Sequence, residues 1–106
     1  SLFERYFGKI NYLNQYNRQA FIISADNTEE KDIVNTIRTI YNIFIKENKH
    51  VHVRIGIGEI AQGLEGLKKS YDQSRIARKT INKSGVMFIK NLGYISFYFT
   101  LMTHQK

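Results

Sequence analysis

The sequence contains no cysteine, no proline and no tryptophan in 106 residues. Without cysteine the chain can form no disulfide, no thiolate nucleophile and no cysteine metal site, which agrees with a cytoplasmic origin. No apolar run approaches the roughly 18 residues that span a bilayer, and the first residues lack a signal-peptide pattern. We therefore expect a soluble, cytoplasmic protein that does not contact membranes.

The chain does contain enough apolar material for one core. Apolar residues make up 42% of it, including seven Phe and seven Tyr. A domain of this length buries roughly 65% of the surface of its unfolded chain, so no second domain fits. We expect a single domain over residues 1–106, without internal repeats or low-complexity tracts.

The stretch that organises the chain lies between residues 51 and 89. Alternating β-branched residues predict a strand that ends on Gly56 and Gly58, where the backbone can bend sharply or accept a close neighbour. The apolar period then lengthens to three and four residues, which predicts a long helix that begins near Gly63. A short apolar strand follows at residues 86–89. One face of the predicted helix carries Leu64, Leu67, Tyr71, Ser74 and Arg78.

The first half of the chain predicts two strands and a helix. Strands within residues 7–15 and 20–23 flank a tight turn at residues 16–19, and both faces of the second strand are predicted to be covered. Asp26 offers a side-chain oxygen for a helix start, and the helix should run to about Glu47. Its buried stripe would comprise Ile33, Ile37, Ile40, Tyr41 and Phe44. The order β-β-α-β-α-β predicts an α/β (α+β) domain with helices packed on a mixed four-stranded sheet.

The strand–helix junction also carries a family resemblance. Gly56-Ile57-Gly58, then a spacer and Leu64, Leu67, Ser70 and Tyr71, resembles the pattern of GGDEF-like domains in bacterial transcription regulators of the sugar-diacid, PucR and AraC types. Ser74 stands where that family usually has alanine. The resemblance implies a nucleotidyl-cyclase, ferredoxin-like fold that lacks its first strand here, in a fragment of a longer regulator.

The resemblance also locates the family's signature hairpin. In active members its glycines let a nucleotide approach the backbone, and its acidic pair handles magnesium and phosphate charge, which requires oxygen ligands. The resemblance places Asn17, Arg18, Gln19, Ala20 and Phe21 at this hairpin. Only the phenylalanine matches, so we expect a degenerate domain that is not an enzyme and has no catalytic residue, metal or cofactor.

The net charge of +7 is concentrated on the predicted helix. Residues 62–85 contain six basic and two acidic side chains. A solvated helix face is one interpretation, and a phosphate-bearing partner is the other. Contacts to such a ligand or phosphate would come from Arg18, Lys68, Lys69, Arg75 and Arg78. As an alternative function, the 62–85 helix would make the chain a small basic nucleic-acid-binding module through Lys68, Lys69, Arg75, Arg78 and Lys79.

The sequence has two further candidate features, a histidine pair and an aromatic segment near its end. His50 and His52 alternate on the predicted strand, a spacing that suits one metal ion, but no third ligand is evident. Residues 92–102 fit a strand by propensity, whereas the resemblance implies a helix. Because Phe97, Tyr98 and Phe99 are too apolar to leave wholly in water, we expect them at an interface with a neighbouring domain or a second copy.

Together these features predict a non-catalytic sensory or dimerisation module of a bacterial transcription regulator. The expected partners are a flanking DNA-binding domain of the full-length protein, a second copy of the chain and a small-molecule effector. We do not expect this domain to contact DNA itself.

Overall fold

A computed structural model describes residues 1–92 of the chain. Its elements, in chain order, are α1 (Leu2–Phe7), β1 (Asn11–Gln15), β2 (Arg18–Ile22), α2 (Glu30–Glu47), β3 (Arg54–Ile57), α3 (Gly63–Lys79), β4 (Gly85–Phe88) and a 3₁₀ turn (Ile89–Leu92). This confirms a mixed α and β fold with the predicted order β-β-α-β-α-β, preceded by one short helix. The chain divides into two compact units, one within Ser1–Val51 and one that begins at His52.

In the first unit, aromatic rings join α1 to the hairpin of β1 and β2. The Phe3 ring stacks on the Phe21 ring with 4.3 Å between centroids, and the Tyr12 ring lies 6.1 Å from Phe21. Gln15 pairs with Arg18 in the antiparallel ladder, which leaves a two-residue loop. The rings therefore cover one side of the hairpin, since Tyr12 and Phe21 are direct cross-strand partners.

The helix α2 begins at Glu30 and its N-cap is Glu29, three residues after Asp26, the predicted cap. The Asp26 carboxylate instead accepts a hydrogen bond from the Ser24 hydroxyl at 3.1 Å. Asn27 has a φ of 59°, which a right-handed helix does not allow. The predicted end at Glu47 is confirmed. Of the predicted stripe, Ile33, Ile37 and Ile40 are buried together with Val34, whereas Tyr41 and Phe44 are half-buried.

The second unit contains the predicted β-α-β arrangement. β3 and β4 pair in parallel, with Arg54 opposite Gly85, and α3 forms the crossover between them. β3 begins at Arg54, not at Val51. Just before it, the Ser84 hydroxyl accepts from the Val53 N–H at 3.0 Å and donates to the Val53 carbonyl at 2.9 Å. The Val53 N–H thus bonds to a side chain, whereas the Val53 carbonyl also accepts from the Gly85 backbone N–H at 2.9 Å.

Helix α3 packs its backbone directly against β3. A Cβ atom placed on Gly56 would overlap the Ser74 carbonyl oxygen and lie 2.6 Å from the Arg78 nitrogen. A Cβ atom placed on Gly58 would overlap the Ser70 carbonyl oxygen. The two glycines therefore accept a close neighbour, as the sequence allowed, and that neighbour is a helix of the same chain.

This close approach determines which face of α3 is packed. Ala77 is fully buried, and Ser70 and Ser74 are half-buried. Leu64, by contrast, is 69% exposed, and Tyr71 is also exposed. The face that the apolar period selected is therefore packed on β3 only toward its C-terminal end, because a helix this close to a glycine-bearing strand has room only for backbone and small side chains beneath it.

The prediction of one mixed four-stranded sheet is wrong for the described residues. In residues 1–92, β1 pairs with β2 and β3 pairs with β4, in two separate two-stranded sheets. Each ladder closes on its own, one across a two-residue loop and the other through a helical crossover. The expectation that both faces of β2 are covered is also wrong, because Ile22 is exposed, and every residue of β1 is exposed.

The contact between α3 and β3 predicts a large effect of one added methyl group. Gly56→Ala should lower the free energy of unfolding by about 3 kcal/mol, the upper end of the usual overpacking cost, because a helix backbone cannot move aside as a side chain can. Urea unfolding followed by far-UV circular dichroism measures this cost.

Gly8→Ala is the matched control. A Cβ atom at Gly8 meets nothing within 4 Å, so only its backbone, at φ 76° and ψ −148°, opposes the substitution, at a cost on the order of 1–3 kcal/mol. A cost below about 1 kcal/mol for Gly56→Ala would contradict the packing described for Gly56.

Candidate functional site

The residues that the resemblance assigns to the signature hairpin lie at the tip and in the second strand of the β1–β2 hairpin. Asn17 lies in the loop, and Arg18, Gln19, Ala20 and Phe21 lie in β2. The Gln19 amide donates to the Asn14 side-chain oxygen at 2.9 Å across the strands. Residues 11–22 contain no aspartate or glutamate, so this hairpin offers a metal ion no carboxylate.

The loop of the hairpin exposes an aromatic ring. Tyr16 has a φ of 48° and is fully exposed. A shallow depression beside it is lined by four consecutive residues, Gln15 to Arg18. Since one hairpin tip forms the whole lining, this depression has no opposing wall and cannot enclose a small molecule as ligand pockets do.

The basic side chains lie on α3, and most of them point to solvent. Lys68, Lys69, Arg75 and Lys79 are exposed, whereas Arg78 is half-buried beside Gly56. Of the predicted phosphate contacts, Arg18 alone belongs to the other compact unit. At about 100° per residue, Lys68, Arg75 and Lys79 fall on one side of the helix, and Lys69 lies a quarter turn away.

Neither of the ion pairs found within residues 1–92 uses these lysines or Arg75; they join the Ser1 amino group to Glu4 and Lys31 to Glu29. The Arg75 guanidinium instead lies 5.9 Å from the centroid of the Tyr71 ring, within the range of a cation–π contact. The exposed cations are thus available to a partner.

The histidines do not form the arrangement that their spacing suggested. His50 lies in a turn, and His52 precedes β3 in irregular chain, so no strand sets both imidazoles on one face. Within residues 1–92 no three His, Asp or Glu side chains lie close enough together to hold a metal ion.

A polar pair that the sequence did not reveal fixes the chain after β3. The Gln73 side-chain oxygen accepts from the Glu59 N–H at 2.9 Å, and its amide donates to the Glu59 carboxylate at 3.3 Å. These bonds tie the end of the strand to the middle of α3. No local pattern signals the pair, because the two residues are fourteen apart in sequence.

The predicted interface residues Phe97, Tyr98 and Phe99 lie outside the described residues. The choice between helix and strand for residues 92–102 also falls outside them, apart from Leu92, which ends the 3₁₀ turn. No helix within residues 1–92 combines the length and the apolar character that a membrane crossing requires.

Comparison with known proteins gives one match. A family model described as GGDEF-like domain matches residues 1–80, which is most of the 106-residue chain. Neither the curated proteins nor the solved structures give a significant match. The matched range contains the hairpin, α2, β3 and α3, including the glycine-mediated contact between the last two. The chain therefore belongs to the GGDEF-like domain family, which associates it with signalling.

Proposed function

We propose that this chain is a non-catalytic sensory or dimerisation module of a bacterial transcription regulator. The observation that carries the proposal is the absence of any carboxylate from the hairpin at residues 11–22. A cyclase reaction on nucleoside triphosphates needs oxygen ligands for a hard cation. The hairpin offers Gln19 and Ala20 where the resemblance places the acidic pair.

A second observation works against nucleotide binding at the hairpin in the manner of active members. Arg18 stands where the resemblance places a glycine, and it lies in the paired strand β2. Its Cβ and the rest of its side chain occupy the space through which a phosphate chain would reach the backbone. We infer that the domain keeps the family fold for binding or contact, without the reaction.

The regulator context follows from the resemblance to domains of the sugar-diacid, PucR and AraC types. In this proposal residues 1–106 form one degenerate GGDEF-like domain of a longer cytoplasmic protein. Its partner is a flanking DNA-binding domain, and its signal is either a small-molecule effector or contact with a second copy. The proposed contacts for an anionic effector are Arg18 on the hairpin and, as a separate surface, the basic residues Lys68, Lys69, Arg75 and Arg78 of α3.

The catalytic part of the proposal is tested by incubating the chain with GTP or ATP and magnesium and measuring cyclic dinucleotides by chromatography. We expect no product above a protein-free control. Magnesium-dependent product that remains after repurification would contradict the proposal.

The sensory part is tested by thermal-shift measurements against guanine and adenine nucleotides, cyclic dinucleotides, purine catabolites and sugar acids. A ligand at 100 times its dissociation constant adds about 2.7 kcal/mol to the folded state. We expect one class to raise the melting temperature, and Arg18→Ala, but not the control Lys9→Ala, to reduce that shift. A screen without any shift would contradict the sensory role and leave the dimerisation role.

The dimerisation role predicts self-association through Phe97, Tyr98 and Phe99. The triple variant Phe97→Ser, Tyr98→Ser, Phe99→Ser should have a lower mass by light scattering than the unmodified chain. Association of the variant no longer buries these apolar rings, so its hydrophobic driving force is lost. A concentration-independent monomer for the unmodified chain would contradict this role.

A further inference from the structure

Within residues 1–92, helix α3 leaves an apolar row partly exposed to solvent. Leu64 and Tyr71 lie seven residues apart, two turns along the helix, with Leu67 beside them. Leu64 is 69% exposed, Leu67 39% and Tyr71 36%. The tight contact with β3 is made by Ser74 and Arg78, and at about 100° per residue the apolar row borders this contact on the solvent side of the helix.

A row of cations runs beside the apolar row. Lys68, Arg75 and Lys79 lie on one side of α3 and span about 16 Å at roughly 1.5 Å per residue. Within residues 1–92 none of them forms an ion pair. Arg75 lies over the Tyr71 ring, so the middle of the cationic row contacts the C-terminal end of the apolar row.

We propose that these two rows are a docking surface for an acidic amphipathic helix of a partner protein. A helix of three or more turns matches the length of the cationic row, and its apolar stripe would cover Leu64, Leu67 and Tyr71. Acidic side chains beside that stripe would meet Lys68, Arg75 and Lys79. The proposal does not depend on the proposed sensory or dimerisation role, since it uses only the exposed face of α3.

The mixed character of the surface favours a protein over a nucleic acid. A phosphate backbone would neutralise the cations but leave Leu64 and Leu67 without an apolar neighbour. Asp72 also lies among the cations on the same side of the helix, where it would repel a continuous line of phosphates. A protein helix can place a polar or basic residue opposite Asp72 and leucines opposite the apolar row.

The test measures binding of a fluorescent synthetic peptide of about 20 residues, long enough to form a helix on the surface. The peptide carries leucine at every third and fourth position and glutamate beside this stripe. We expect saturable binding to the full chain by anisotropy at low ionic strength. A control peptide with serine for each leucine keeps the charge and should bind at least about tenfold more weakly.

Three variants of the chain complete the test, each checked for folding by circular dichroism. Lys68→Glu with Arg75→Glu should weaken peptide binding by at least about tenfold, since attraction becomes repulsion. Leu64→Ser with Tyr71→Ser should do the same through lost apolar contact. Lys49→Glu makes the same kind of charge change outside α3 and should alter binding less than about twofold.

Three results would overturn the proposal. The first is no binding of the peptide. The second is equally tight binding by the serine peptide and by the Leu64→Ser, Tyr71→Ser variant, which would mean that the surface recognises charge alone. The third is displacement of the peptide by a short DNA duplex at equal phosphate and glutamate concentration, which would assign the surface to nucleic acid.

Discussion

The contact between the backbones of α3 and β3 is the constraint on which the second unit depends. Gly56 and Gly58 leave the strand without side chains where the helix crosses it, so the Ser74 and Ser70 carbonyls take up that space. Parallel pairing of β3 with β4 then follows, because the helix between them must return the chain to the same edge. The bonds between Gln73 and Glu59 fix the loop that enters the helix.

The same constraint determines what the protein shows to its surroundings. A helix held this close can bury only small side chains, so Leu64 and Tyr71 lie on the outside beside Lys68 and Arg75. The hairpin of the first unit follows a different rule. Its rings cover one side, and it contains no carboxylate. The described residues thus expose apolar and basic side chains on α3, whereas the hairpin offers no carboxylate. The proposed function rests on these two observations.

Local patterns predicted the elements well, and contacts between distant residues account for the errors. The start of α3 at Gly63 and the end of α2 at Glu47 are each signalled by neighbouring residues. The start of α2 was missed because Asn27 adopts a φ of 59°, which keeps the residues after Asp26 out of the helix. The exposure of Leu64 at the start of α3 was missed because the packing of this helix depends on glycines in another element. Sheet partners were missed for a similar reason, since the period of a strand does not encode which strand lies beside it. The hairpin residues of the candidate site were placed through the family pattern, whereas the pair of Glu59 and Gln73 has no sequence signal.

Native-state amide hydrogen exchange tests the central claim most directly, because it reports the opening of each segment separately. The account predicts that the slowest amides lie in β3 and in the part of α3 packed on it, around Ser74 to Ala77. It predicts fast exchange for the ladder amides of β1 and β2, since a two-stranded hairpin with exposed strands is marginally stable. Protection of the hairpin equal to that of β3 would contradict the account, because it would place both pairs of strands in one larger sheet.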